Sequence, residues 1–176
     1  YGNRSHKPYK DMKDDFRDII VRTIGRGGNV IIPAFAVERT QDLIYTLSVL
    51  IKEQSLPKVP IIIDSPLAIR ATEVFRRHLK ELDSDTQDMI KSGHNPFEIP
   101  GLRYSMTSEE SKSLNEMKGG AIIISASGMA DAGRIKHHLK HNLWRPESTV
   151  VFVGYQAEGT LGRRILDGEK KVRIHG

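Results

Sequence analysis

The sequence has 176 residues, of which 38% are hydrophobic and 28% are charged, and its formal net charge is +5. This length and composition are typical of one globular domain, and the excess of basic residues favours polyanionic partners without requiring them. The sequence contains no cysteine, which excludes disulfides and thiolate metal sites, and no apolar run approaches the roughly 18 residues of a membrane span.

Helical and strand patterns alternate along the chain. Apolar residues at helical spacing predict helices over residues 9–24, 36–54, 66–79, 83–93 and 107–118, then a helix ending at residue 139, and one over 161–166. Short apolar runs predict strands over residues 30–35, 61–63, 102–104, 121–124 and 149–153, and the start of a last strand over 172–174. Nearly continuous apolar strands between helices predict an α/β fold, with three α/β/α layers and a mostly parallel central sheet.

Four predicted strand exits are rich in small or polar residues. They comprise residues 36–39, 64–66, 125–129 and 154–160. Ligands of parallel sheets bind beyond the carboxyl ends of the strands, so these segments form the predicted functional edge. Asp64, Ser65 and Pro66 are expected to supply a turn, a helix N-cap and the first helical position.

The segment from Ser125 to Met129 separates the most apolar strand from the helix predicted to end at Leu139. Ser125, Ser127 and Gly128 carry little bulk, so a ligand can approach their backbone closely. Free amides at a helix start attract anions, which makes phosphate binding one hypothesis. The alternative, which this segment alone favours, is that Ser127 only caps the helix.

Two charged residues at strand exits have open roles. Asp64 is a candidate ligand or base, although aspartate before Ser-Pro is also common turn chemistry. Arg39 is a candidate phosphate contact, although it can equally pair with Glu38 or Asp42.

Three histidines, His137, His138 and His141, cluster on the helix predicted after the segment 125–129. His137 and His141 are four residues apart and share a face, which is a metal-ligand spacing. Lys136 and Lys140 lie beside them and repel cations, so a solvated or anion-facing helix is favoured over a metal site.

Motifs for several common enzyme chemistries are absent from the sequence. It contains no phosphate-binding P-loop, no strict G-x-G-x-x-G and no G-x-S-x-G nucleophile elbow. The sequence therefore carries none of these three motifs, and the prediction of no catalytic residue within the chain follows only from the family resemblance described next.

Four ordered blocks carry a family resemblance: Ile-Pro-Ala-Phe-Ala-Val-Glu-Arg-Thr-Gln-Asp-Leu at 32–43, Asp-Ser-Pro-Leu-Ala at 64–68, Ser-Ala-Ser-Gly-Met at 125–129, and Gly-Tyr-Gln-Ala-Glu-Gly-Thr-Leu-Gly at 154–162. Together they closely resemble the β-CASP domain of metallo-β-lactamase-fold RNA nucleases, a group that includes cleavage-and-polyadenylation endonucleases and their prokaryotic relatives. Residues 1–4 resemble the segment just after that family's acidic motif.

The resemblance implies that residues 1–176 are a single β-CASP domain cut out of a larger nuclease. The family's H-x-H-x-D-H metal cluster would precede this chain, and its later histidine motifs would follow it. The parent is therefore expected to be a zinc-dependent ribonuclease with two zinc ions, whereas this fragment would hold no metal or other cofactor and be inactive. The implied partners are single-stranded RNA and the metallo-β-lactamase core of the same polypeptide. No membrane is implied, a homodimer of the parent stays open, and the expected compartment is cytoplasmic.

On this interpretation the chain grips single-stranded RNA through its phosphates. The candidate RNA- or phosphate-binding residues are Arg39, Asp64, Ser65, Ser125, Ser127, Gly128, Met129, Arg134, Lys136, Gln156, Glu158, Gly159 and Thr160. Two other functions stay open, a mononucleotide-binding domain and a protein-interaction module. RNA binding predicts length-dependent affinity with a steep salt slope, which neither alternative does.

Overall fold

The computed structural model describes residues 7–175, so residues 1–4, which carry part of the family resemblance, lie outside its range. The helices within that range are α1 (Tyr9–Gly25), α2 (Arg39–Lys52), α3 (Pro66–Arg77), α4 (Ser84–Lys91), α5 (Ser108–Leu114), α6 (Ile135–Asn142) and α7 (Leu161–Leu166), and a 3₁₀ turn occupies Leu79–Glu81. The strands are β1 (Val30–Pro33), β2 (Ile61–Ile63), β3 (Leu102–Tyr104), β4 (Ile122–Ser125) and β5 (Thr149–Val150).

The five strands form one sheet in the order β3-β2-β4-β1-β5. Every neighbouring pair is parallel, and Ile123 at the centre of β4 is in register with Ile31 of β1 and Ile62 of β2. The predicted parallel α/β sheet is therefore confirmed.

Alternate residues of the central strands face two separate hydrophobic clusters. Ile122 and Ile124 face a cluster that includes residues of α1, α2 and α3, whereas Ile123 faces a cluster with residues of α6 and α7. Successive strand side chains point to opposite faces, so this double burial explains why β4 is apolar throughout. The two clusters establish the predicted α/β/α layering.

The helices change faces where the chain reverses its direction across the sheet. From β1 the chain moves through β2 to the edge strand β3, and it then returns through β4 to β5. Parallel crossovers are right-handed, so connections that run in opposite directions lie on opposite faces. The neighbours β2 and β4 are consequently followed by helices on different faces, an arrangement that opens a crevice beyond their carboxyl ends.

Several element boundaries differ from those predicted. β1 ends at Pro33, whose missing N–H cannot continue a ladder, and β5 ends at Val150 instead of residue 153. Residues 172–174 form no strand in the described structure, although Val172 and Ile174 pack against the second cluster. Helix starts differ as well, because α2 begins at Arg39 and α6 begins at Ile135.

The predicted cap of α3 is confirmed, and α5 is capped as well. Ser65 accepts a hydrogen bond from the Ala68 amide, and Pro66 is the first residue of α3. Thr107 and Glu110 form a reciprocal capping box at the start of α5. Among the described helices, none is both long and apolar enough to cross a membrane.

Candidate nucleic-acid interface

Because all five strands are parallel, their carboxyl ends meet at one edge of the sheet, which we call the C-terminal edge. Its segments are residues 34–38 after β1, 64–65 after β2, 105–107 after β3, 126–134 after β4 and 151–160 after β5. Five apolar side chains on or directly after these segments are exposed: Phe35, Val37, Leu67, Met106 and Tyr155. Exposed apolar side chains of this size make the edge a candidate contact surface.

Asp64, directly after β2, is fully buried and joins elements from both sides of the crevice. One carboxylate oxygen accepts hydrogen bonds from Ser111 Oγ of α5 at 2.6 Å and from His138 Nε2 of α6 at 2.6 Å. The other oxygen accepts from Arg134 Nη1 at 2.8 Å. An ionised carboxylate only accepts, so His138 must carry a proton on Nε2.

The environment of Asp64 stabilises its ionised form. Burial by itself raises the pKa of the carboxyl, but hydrogen bonds from His138 and Ser111 outweigh burial and lower the pKa to about 2. Asp64 is therefore a buried anion with charged and hydroxyl donors around it. It is not a proton acceptor poised for catalysis near neutral pH.

The guanidinium of Arg134 lies against the residues that follow β2 and β3. Besides Asp64, it donates to the backbone carbonyls of Ser105 at 3.0 Å and Met106 at 2.9 Å, which follow β3. Three of its five N–H donors are thus engaged within the chain. In this structure Arg134 holds three strand exits together.

Ser127 does not cap α6, and this prediction was wrong. The helix begins eight positions later at Ile135, and its N-cap, Arg134, makes no side-chain capping bond. Ser127 instead closes the intervening loop onto Ala132, because the Ala132 carbonyl accepts from Ser127 N and Oγ, both at 3.1 Å. Gly133, at φ 84°, completes this closed loop where a Cβ would meet the Ala126 backbone.

Gly128 packs against an aromatic ring. A Cβ built on Gly128 would lie 2.8 Å from Phe35 Cδ2 and 3.0 Å from the Phe35 amide nitrogen. The expectation that this position faces a ligand at a helix N-terminus is corrected accordingly. Its missing side chain lets Phe35 lie on the loop while that ring stays 48% exposed.

The N-terminus of α7 is occupied by groups from within the chain. Asp131 Oδ1 accepts from the Leu161 amide at 2.8 Å, the Met129 carbonyl from Gly162, and Thr160 Oγ1 from Arg163. These are the amides that a helix start would offer to a phosphate. A phosphate near Thr160 would have to displace the Asp131 carboxylate.

A family model described as the Beta-Casp domain matches residues 40–165, which is more than half of the chain. The chain belongs to the β-CASP family. This family lies within the metallo-β-lactamase-fold nucleases that the four sequence blocks resemble, so the predicted membership is confirmed.

Similar proteins share the whole or most of this β-CASP chain. Ribonuclease TTHA0252 of Thermus thermophilus is 41% identical over 176 residues, which are 100% of this chain and 40% of that protein. Transcription termination factor FttA of Methanosarcina mazei is 33% identical over 179 residues, which cover 100% of this chain and 28% of that protein. An RNase J-like protein of Methanocaldococcus jannaschii is 34% identical over 164 residues, which cover 93% of this chain and 37% of that protein. The chain thus spans less than half the length of these relatives.

The candidate residues at the C-terminal edge differ in how accessible they are to solvent. Those engaged inside the chain are Asp64, Ser65, Ser125, Gly128 and Gln156, all of them buried. Ser125 Oγ donates to the Asp64 carbonyl at 2.7 Å, and Gln156 Nε2 donates to the Gly128 carbonyl at 3.0 Å. Ser127, Met129, Arg134, Lys136 and Thr160 are half-buried, whereas Arg39, Glu158 and Gly159 are exposed. Phosphate contacts by the accessible residues stay predictions.

Sequence reasoning missed the partners of Asp64. His138 occupies the buried face of α6 with Ile135, Leu139 and Asn142, a spacing of three, four and seven residues. That stripe is visible in the sequence and could have indicated a buried histidine in need of a partner. The exposure of Phe35 and Tyr155 was missed too, because Phe35 ends a run predicted as a buried strand and Tyr155 lies in a predicted exit loop.

The described residues do not fit a metal centre. No three histidine, cysteine, aspartate or glutamate side chains in residues 7–175 converge on a point that could hold a metal ion.

Proposed function

We propose that this chain is the RNA-binding β-CASP part of a longer zinc-dependent ribonuclease, in which it forms one wall of the RNA cleft. The observation that carries the proposal is the 41% identity to ribonuclease TTHA0252 along the full chain. Catalytic metal ions would be held by the metallo-β-lactamase core of the same polypeptide, which is the chain's proposed partner. A homodimer of the whole protein and a cytoplasmic location belong to the same proposal.

The exposed residues at the C-terminal edge support this role. Phe35 and Tyr155 follow the neighbouring strands β1 and β5, and single-stranded nucleic acid binds such aromatic surfaces by base stacking. Arg39 begins α2 beside Phe35, and its guanidinium is half exposed with Asp42 at 3.5 Å. A long ion pair of this kind at the surface contributes little to stability, which leaves Arg39 able to contact a phosphate.

RNA binding by the 176-residue chain tests the proposal. Fluorescence anisotropy with labelled single-stranded oligonucleotides of increasing length should give rising affinity and a steep salt dependence. A mononucleotide that binds as tightly as the oligonucleotides, or absence of RNA binding at every salt concentration, would contradict it.

Arg39→Gln locates the contact, and Arg164→Gln is its matched control. Both variants remove one helical surface charge, but Arg164 on α7 pairs at 2.7 Å with Glu169, which follows that helix. We expect Arg39→Gln to weaken binding several-fold and to reduce the salt slope by about 0.7, the value for one lost phosphate contact on a single strand. Arg164→Gln should leave both quantities unchanged. Equal effects of the two variants would mean that only net charge matters.

A further inference from the structure

A cluster of cationic side chains lies outside the C-terminal edge, on the exposed face of α6. His137 of α6 and His175 near the end of the chain have ring centroids 4.6 Å apart, with planes inclined by 36°. Val172 and Ile174 pack into the second hydrophobic cluster, and this anchors the segment that brings His175 onto α6. Both imidazoles are exposed, so the pair is open to a ligand.

Positive charge surrounds this pair. Desolvation and the positive neighbours His137, Lys136 and Lys140 all lower the pKa of His175. Within residues 7–175, none of the ion pairs includes any of these four side chains. By contrast, Arg163 and Arg164 of the neighbouring α7 are paired with Asp167 and Glu169. The cluster is therefore an uncompensated group of donors.

The chemistry of the cluster suits an anion better than a metal ion. Two imidazoles can ligate a metal, but the ammonium groups of Lys136 and Lys140 repel cations, and the described residues supply no third ligand. Protonated imidazoles and ammonium groups are donors only, and charge-assisted hydrogen bonds to phosphate oxygens are among the strongest that side chains make. An anion bound beside the two rings, which are 4.6 Å apart, would also offset the repulsion between their charged forms.

We propose that His137 and His175, with Lys136 and Lys140, form a binding site for a phosphate group whose affinity increases as the two imidazoles become protonated. The source that follows from the proposed function, on which this part rests, is the backbone of RNA leaving the C-terminal edge. Lys136 provides the continuity, because it lies in the first turn of α6, directly after the loop that follows β4. Free phosphate is the other source of the same chemistry.

Protonation and anion binding are linked. A bound phosphate favours the charged imidazoles and so raises their pKa, and by reciprocity a fall in pH increases phosphate affinity. While no anion is present, desolvation, His137 and the ammonium groups of Lys136 and Lys140 from α6 lower the pKa of His175. The gain in affinity should therefore appear as pH falls from about 8 to about 5.5, around the ordinary histidine range.

NMR titration of histidine ring resonances tests the site in the 176-residue chain. Inorganic phosphate and a single-stranded RNA oligonucleotide serve as separate probes, and each should raise the pKa of His137 and His175 but not of His78. His78 is the internal control because it is exposed on another face and pairs with Glu81 at 3.0 Å. Unchanged His137 and His175 with both probes would overturn the proposal.

The double variant His137→Gln/His175→Gln provides the binding test. Wild type should bind RNA roughly tenfold more tightly at pH 5.5 than at pH 8, as expected for two added charge-assisted contacts. The salt slope at pH 5.5 should be steeper by about 0.7 for each protonated imidazole that meets a phosphate. The double variant should lose both gains and match wild type at pH 8, whereas His78→Gln should keep both gains. Identical pH profiles of the double variant and wild type would refute an RNA source.

The two proposals fail in different ways. If Arg39→Gln weakens RNA binding but neither probe moves His137 and His175, RNA binding at the C-terminal edge stands and the histidine site is refuted. If inorganic phosphate raises both pKa values while RNA does not bind, the phosphate site stands and the RNA-binding function is refuted.

Discussion

Asp64 is the residue at which the exits of three strands are held together. Its buried carboxylate accepts from α5 and α6 and from Arg134, which in turn binds the backbone after β3. Removing one charge from such a group leaves its partners buried and uncompensated. The sequence pattern marks Asp64 as a turn residue or ligand, and the structure instead gives it the role of a structural anion.

The Asp64→Asn variant should unfold more easily, by about 3–5 kcal/mol near neutral pH, because Arg134 loses its counter-charge and His138 Nε2 loses a charged hydrogen-bond acceptor. Chemical denaturation measures this free energy. Ser111→Ala is the milder comparison, and loss of that single donor should cost about 1–3 kcal/mol. A loss no larger in Asp64→Asn than in Ser111→Ala would show that the cluster is not organised around the carboxylate.

In the wild-type chain, acidification should remove the stability that the ionised Asp64 carboxylate contributes. The pKa of Asp64 is about 2 in the folded chain and 3.8 in its ordinary state, so folding favours the ionised form. The contribution of about 2 kcal/mol is therefore fully present above pH 4 and lost as pH falls from about 4 to about 2. Asp64→Asn should show a shallower loss over this interval, and the slope that remains belongs to other carboxylates such as Asp83 and Glu110. Parallel profiles would contradict this assignment.

Gly128 and Phe35 form a second testable contact at the level of residues. Gly128→Ala should destabilise the chain by about 1–3 kcal/mol because its Cβ overlaps the Phe35 ring and approaches the Phe35 amide. Phe35→Leu in the same background should recover part of the loss by removing the ring. A double-mutant cycle in denaturant measures the coupling, and additive effects would place the two residues out of contact.

At the scale of elements, a substitution at Ser65 distinguishes helix capping from ligand binding. Its side chain accepts from the Ala68 amide at 3.3 Å, and it is buried at the start of α3. Ser65→Ala should therefore cost about 1 kcal/mol of stability and leave RNA affinity unchanged. Thr107→Ala, which removes the cap of α5, is the matched control for the loss of a cap alone. A fall in RNA affinity in Ser65→Ala but not in Thr107→Ala would restore a phosphate contact to Ser65.

The regular elements were more predictable from the sequence than their junctions. Ile122, Ile123 and Ile124 predict a doubly buried strand because local apolar pattern determines burial. The start of α6 was misplaced because residues 128–134 form turns and bends whose geometry depends on contacts with other segments. Ser127 closes its loop onto Ala132, and a sequence pattern does not distinguish that bond from a helix cap.

At the scale of the whole molecule, the sequence predicted at which edge of the sheet several candidate residues lie, but not which of them are exposed to solvent. Parallel topology brings strand exits to one edge, so Asp64 and Gln156 lie in the structure where the exits of their strands were predicted, and their part in binding stays a prediction. Which polar residues are exposed depends on long-range pairing, such as Asp64 with His138 across 74 positions of sequence. Periodicity carries no information about that pairing, and Arg134 thus differs from Arg39 although both follow strand exits.

The division of labour between this chain and the rest of a longer protein gives the last prediction. The 176-residue chain should bind single-stranded RNA without cleaving it, with or without added zinc or manganese. Neither its sequence nor its described residues supply a metal-binding cluster, and phosphodiester hydrolysis of the proposed kind needs metal ions to activate water. Labelled RNA on denaturing gels measures cleavage, and the longer protein of which the chain is proposed to be part is the positive control.

A trace contaminating nuclease would imitate activity, so cleavage must be compared between wild type and Asp64→Asn after identical purification. Asp64→Asn should fold less stably, and any cleavage that belongs to the chain should fall with the folded fraction, whereas contamination should not follow it. Metal-dependent cleavage that copurifies with wild type and declines in step with unfolding would place a catalytic centre within these 176 residues and refute the proposed division.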